Sequence, residues 1–293
     1  MVHSIPEIST RRSMLNICFT HTEVMRFGPA GYPKKVKGAE NALKYTHSIG
    51  LDALEIEMVH GVRMSEERAH TIGNVAHEND IRLSCHAPYY ISFNSINPET
   101  RDKSVKWVVD TAVAAHNLGA YLIVIHAASY SKSPETATEN VIKGLIESKN
   151  RLDDLNIKDV VLGVETMGKK GQFGTLKEIA EVMKSVEGVH PVLDVAHVHA
   201  RSGGMLKTRK DMQALTEEFF PLAGKIAHFH ISCIKYGAKG EISHLPLSVK
   251  DPDMQNLADV LAGTEKDCNF ICESPLTDED AVVFRDMFPS SKI

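Results

Sequence analysis

Eight short β-prone runs alternate with amphipathic stretches of helical length along this 293-residue chain, and no other feature restricts its fold as much. The runs are Asn16–Thr20, Ala53–Met58, Arg82–Ala87, Tyr121–Ala127, Val160–Thr166, Pro191–Ala196, Lys225–Ser232 and Phe270–Ser274. Helical patterns at Ala39–Ser48, Ser65–Glu78, Thr100–Leu118, Thr136–Asp153, Leu176–Val186, Asp211–Phe219 and Asp253–Leu261 fall between them. Strands that alternate with helices join as parallel βαβ units. Eight such units in this length predict an α/β fold, a closed (β/α)8 TIM barrel, with residues 1–293 as a single barrel domain. An open doubly wound sheet usually carries a G-x-G-x-x-G turn after its first strand, and none is present here.

The strand ends carry the chemistry. His86 ends run three in SCHAPYY, His126 run four in VIHAAS and Glu165 run five in GVETMG. Asp194 ends run six in LDVAHVHA, with His197 just beyond; His230 lies in HFHIS and Glu273 in ICESP. The segment KGEISHLPL, read as a loop after run seven, adds Glu241 and His244. In a TIM barrel the C-terminal strand ends converge on one mouth, so residues far apart in sequence meet there. Side chains alternate along a strand, which puts Val124 on the face of His126 and Val192 on the face of Asp194, as expected for polar residues topping a filled interior. Any one of these residues reads more simply as a helix cap or a packed histidine. Together they form a buried set of carboxylates that needs compensating charge, and bound cations supply it. Imidazole and carboxylate without thiolate suit zinc, manganese or iron.

Composition adds boundaries. A net charge of −5 gives no broad basic field for nucleic acid, although bound cations would add positive charge at the mouth. Five cysteines with no CxxC pair point to reduced thiols and a cytoplasmic protein. The start of the chain has no apolar signal region, and no apolar run is long enough to span a bilayer, so no membrane partner is expected.

These motifs resemble endonuclease IV, the second family of apurinic/apyrimidinic endonucleases, and more closely its shorter, divergent branch. The likeness runs from about His86 to Glu273. It implies a metal-dependent hydrolase that cuts the DNA phosphodiester 5′ to an abasic site in base excision repair; separately, a monomer is expected. It further implies two or three Zn2+ ions, with Mn2+ or Fe2+ as substitutes. His86, His126 and Glu165 would hold the first. Glu165 would bridge to a second held by Asp194, His230 and Glu273, and would serve as the catalytic carboxylate. His197 and His244, with Glu241, would hold a third. Tyr89 falls where the family places an aromatic that probes DNA. Three places depart from the family pattern: Glu241-Ile-Ser-His244 replaces Asp-x-His, His126-Ala-Ala-Ser-Tyr130 replaces His-Pro-Gly-Ser-His, and Ser232-Cys233 replaces Asn-Asp.

Basic residues Lys34, Lys35, Lys37, Lys169, Lys170, Arg201, Lys207, Arg209, Lys210, Lys235 and Lys239 fall in expected mouth loops and would track a DNA backbone. Glu55 and Glu57 are expected to point into the barrel, His228 to lie one layer below His230, His199 at the surface, Trp107 in the core and GKKGQFG in a flexible loop. The rival reading is a single-metal sugar isomerase or epimerase, for which Glu165, Asp194, His230 and Glu273 suffice. His86, His126, His197 and His244 are surplus to that chemistry. A barrel that binds without catalysis is the third reading.

Overall fold

The computed structural model describes residues 25–130 and 134–289. The barrel strands are β1 (Met25–Pro29), β2 (Ala53–Glu57), β3 (Arg82–His86), β4 (Leu122–Ile125), β5 (Val161–Glu165), β6 (Val189–Asp194), β7 (Ile226–Ile231) and β10 (Asp267–Cys272). They form one sheet in the order β1-β10-β7-β6-β5-β4-β3-β2, and the pairings along it are parallel. A parallel bridge between Ala30 and Glu55, with Gly31 N–H donating to the Glu55 carbonyl at 2.9 Å, joins β1 to β2 and closes the ring. The helices α1 (Ala39–Ser48), α2 (Glu66–Glu78), α3 (Pro98–Leu118), α4 (Pro134–Asp154), α5 (Leu176–Met183), α6 (Val195–Arg201), α7 (Arg209–Phe219), α8 (Met254–Leu261) and α9 (Asp278–Arg285) connect or flank them.

The first strand differs from expectation. It is Met25–Pro29, and the run Asn16–Thr20 lies outside the described residues. The sequence MRFGP hides a strand because Gly and Pro both depress strand propensity. Gly28 is nevertheless what lets the barrel close: a Cβ there would stand 1.8 Å from the Ala53 carbonyl oxygen. Two further segments were not legible. After Asp194 the chain turns at once into α6, and KGEISHLPL is not a loop: Gly240–Leu245 forms β9, paired antiparallel with β8 (Cys233–Gly237).

Outward side chains pack against the helices. On β1, β10 and β7, Phe27, Phe270 and Phe229 stack across neighbouring strands at 5.2 and 5.0 Å, under Phe284 of α9 and the following Phe288. Burying each such ring contributes about 1.5–3 kcal/mol, and each ring pair about 0.5–1.5 kcal/mol more. Inward, Leu122, Val124 and Val192 form a small apolar cluster, so the interior is packed below the polar mouth as the alternation predicts. Helix ends are set locally: Asn97 accepts from Glu99 N at 3.0 Å ahead of α3, and Gly119 ends that helix at φ 71°.

Candidate metal centre

The strand alternation places Glu165 and Asp194 at the ends of β5 and β6, His86 at the end of β3 and His230 inside β7, all buried. His126 and Glu273 follow directly on β4 and β10; His197 lies in α6, and Glu241 and His244 lie on β9. Three overlapping groups result, in each of which one ligand atom per residue lies within 4.8 Å of the others. They are His86, His126 and Glu165; Glu165, Asp194, His230 and Glu273; and Asp194, His197, His244 and Glu273. Glu241, the expected third carboxylate, stands beside the last group with Oε2 3.5 Å from His197 Nε2, while Asp194 and Glu273 lie within it.

Local hydrogen bonds decide which atom each residue presents. Asp194 caps α6, its Oδ1 accepting from His197 N at 2.6 Å, which leaves Oδ2 turned to the cluster. The carbonyls of Ala87 and Thr166 can only accept, so His86 and His197 donate to them through Nδ1 at 2.8 and 2.9 Å, which leaves His86 Nε2 toward Glu165 and His197 Nε2 toward Glu241. His244 Nδ1 meets Ser232 Oγ at 2.6 Å, and its Nε2 lies 3.5 Å from Glu273 Oε2. Such outer contacts on imidazoles are what hold metal ligands in place. Ser232, one of the departures from the family pattern, thus orients a candidate ligand.

The carboxylates crowd one another. Burial raises the Asp194 carboxyl to about 7; His197 opposes this, while Glu273 and Glu165 add to it. Burial alone would also raise Glu165, but His126 and His230 hold it well below the usual carboxylate range. Burial lowers His86, yet Glu165, Glu55 and Glu273 outweigh that and bring it up to about 9. Glu165 Oε2 and Asp194 Oδ2 are buried without a hydrogen-bond partner. His126 Nε2 stands 2.5 Å and His86 Nε2 3.5 Å from that Glu165 oxygen, close but not aligned to donate to it. Orphaned carboxylate oxygens among convergent imidazoles fit a divalent cation, which would satisfy both. The donor set contains no thiolate, in keeping with zinc, manganese or iron chemistry.

A cleft of about 500 Å³ opens over these groups, lined by His86, His126, His197, Glu241, His244 and Glu273 together with Tyr89 and Lys169. Tyr89 is half exposed, with its hydroxyl 3.4 Å from His60 Nδ1. Several expected backbone-tracking cations have other partners. Arg201 donates to the carbonyls of Lys169 (2.6 Å) and Gln172 (2.9 Å) and to Tyr130 Oη (2.9 Å), so it pins the GKKGQFG segment. Lys35 pairs with Glu279 at 2.7 Å, and Arg209 donates to the Asp259 carbonyl at 3.2 Å. His199 is not at the surface: it is buried, with Nε2 2.8 Å from Asp251 Oδ1 and Nδ1 accepting from Leu206 N. Trp107 packs against the core as expected, its ring 4.6 Å from that of Tyr90. Glu55 points inward and is buried, and His228 lies below His230. Glu57 reaches the mouth, where it lines the cleft. No helix among the described residues is long and apolar enough to cross a membrane.

Comparison with known proteins adds family, relatives and fold. A family model described as a xylose isomerase-like TIM barrel matches residues 43–287. An uncharacterized protein of Methanocaldococcus jannaschii is 33% identical over 262 residues, covering 88% of this chain and 94% of that one. A probable endonuclease 4 of Mycoplasma pneumoniae is 25% identical over 183 residues, covering 60% of this chain and 62% of that one. Among solved structures, a D-tagatose 3-epimerase-like protein superposes with a TM-score of 0.70 at 18% identity, covering 90% of this chain and 95% of that one. The endonuclease IV of Thermus thermophilus superposes at 0.69 and 20% identity, covering 89% and 98%. At these identities the two structures speak for the fold alone.

Proposed function

This chain belongs to the xylose isomerase-like TIM barrel family, and from that premise we propose that it is a metal-dependent phosphodiesterase that cuts DNA on the 5′ side of abasic sites. The observation that carries the reading is the sharing of Glu165 between two adjacent ligand groups, His86/His126/Glu165 and Glu165/Asp194/His230/Glu273. A carboxylate common to two groups would let Glu165 serve two cations at once, the kind of site used to grip a phosphodiester from both sides. The third group, through His197 and His244, extends the same row. When bound, such cations supply the Lewis acidity that neutralises the phosphate and activates water for attack.

The chain's own residues divide the remaining work. Glu165 would keep two cations in register and orient the attacking water. His86, His197 and His244 would be held as ligands by Ala87, Thr166 and Ser232. Lys169, in the same cleft, would meet the phosphate backbone, and exposed Tyr89 would stack against an unpaired or displaced base. The relatives named as probable endonuclease 4 support this reading.

A second reading has its own observation: Glu165, Asp194, His230 and Glu273 alone form a complete four-residue group for one cation, as a sugar epimerase would need. Two measurements separate the two. The metal-loaded protein is incubated with a duplex carrying one abasic analogue, beside an intact duplex, and metal is counted per chain. Cleavage confined to the abasic duplex is expected, with two or three ions per chain at the mouth groups. One ion per chain at the mouth groups and no cleavage would move the reading to the epimerase.

A further inference from the structure

Below the mouth groups the barrel holds a deeper knot of polar side chains. Glu55 on β2 and His228 and His230 on β7 are buried at 0% exposure. His230 Nε2 stands 3.1 Å from Glu55 Oε1, and His228 Nε2 3.4 Å from Glu55 Oε2. Yet Glu55 Oε1 and the Nε2 atoms of both histidines have no hydrogen-bond partner. Polar atoms this close normally bond to one another. Here one ligand atom from each of the three residues lies within 4.8 Å of the others. Ligand atoms around a tetrahedral zinc-like ion, with bonds of about 2.0–2.1 Å, stand roughly 3.3 Å apart.

The far ends of these side chains are pinned as ligands usually are. Ser84 Oγ donates to Glu55 Oε2 at 2.8 Å. The Tyr121 hydroxyl lies 2.6 Å from His228 Nδ1, so Nδ1–H can donate outward and leave the Nε2 lone pair facing the knot. Asn269, the register partner of His228 on β10, is buried too, and both its amide atoms are unpartnered. A fully buried carboxylate with one oxygen, Oε1, left without a hydrogen bond is costly. A cation removes that cost.

We propose that Glu55, His228 and His230 hold a further divalent cation, of the zinc class, deep in the barrel beneath the mouth cluster. His230 is the link between the two levels. Its Nε2 faces this deep site, and its Nδ1 lies 3.2 Å from Glu165 Oε1 and 3.3 Å from Glu273 Oε1. The deep ion then stiffens the ring that the mouth cluster shares. This site is independent of whether the barrel acts on DNA or on a sugar.

The test is zinc-edge anomalous diffraction from crystals of the full zinc-loaded chain, joined to metal counting by mass spectrometry on the wild type and on Glu55→Gln and His228→Gln. An anomalous peak among Glu55, His228 and His230, and a loss of one ion per chain in both variants with the mouth peaks retained, is the expected result. Anomalous peaks at the mouth with only water in the deep site would overturn this proposal and leave the functional reading intact. Absence of peaks at both levels would overturn both. The wild-type map decides the question even where a variant fails to fold.

Discussion

Glu165 Oε1 lies 3.2 Å from His230 Nδ1, although β6 separates the strands that carry them. That contact spans 65 residues of sequence and exists only because parallel strands bring their C-terminal ends to one rim. Glu165 also reaches His86, His126 and His197, which makes it the hub of the mouth.

Replacing Glu165 with Ala should therefore remove metal and activity together. We expect the metal content to fall by at least one ion per chain and cleavage of the abasic duplex to drop by about 10²-fold or more. Mass spectrometry on the desalted variant, beside a cleavage assay, checks this; a variant that keeps both would refute the bridging role.

Tyr89→Ala should act on DNA and not on metal. The ring is exposed in the cleft and belongs to none of the candidate ligand groups. Loss of one stacking contact should weaken binding of the abasic duplex by about 1–3 kcal/mol with metal content unchanged. Equal losses of DNA and metal binding would assign the ring a structural role instead.

Ser232→Ala removes the hydroxyl 2.6 Å from His244 Nδ1. The affinity for the ion nearest His244 should fall about 10–100-fold, with the ions around Glu165 retained. Competition with a graded series of chelators reads this out. If every ion loosens equally, Ser232 supports the barrel rather than one ligand.

Arg201→Ala should loosen the segment after β5. Its guanidinium donates to the Lys169 and Gln172 carbonyls, and the segment contributes Lys169 to the cleft. Limited proteolysis should cut faster between residues 168 and 173, and the KM for the duplex should rise more than kcat falls. An unchanged cleavage pattern would remove Arg201 from that role.

Gly28→Ala tests barrel closure. The added Cβ would meet backbone, 1.8 Å from the Ala53 carbonyl oxygen, and a carbonyl in a sheet cannot rotate away. Destabilisation of about 3 kcal/mol or more is expected from such overpacking, measured by urea unfolding with the midpoint and slope both followed. A midpoint close to wild type would mean that β1 and β2 can separate without cost.

By itself the chain's pattern of residues determined the barrel and most of its rim. Inward and outward positions follow from the two-residue period of a strand, a local property, so His126 could be placed at a strand end with Val124 beneath it, and Asp194 with Val192 beneath it. What local pattern could not reach depends on contacts between distant segments. The strand Met25–Pro29 exists because Gly28 admits the backbone of Ala53, which no propensity reports. His199 is buried because Asp251, 52 residues further on, reaches its ring. Arg201 bonds the carbonyls of the preceding loop. Above all, only the closed barrel decided which nitrogen of His228 and of His244 faces the interior. That choice is made by whatever partner the other nitrogen finds, and for His244 and His228 the partners, Ser232 and Tyr121, come from outside their own strands.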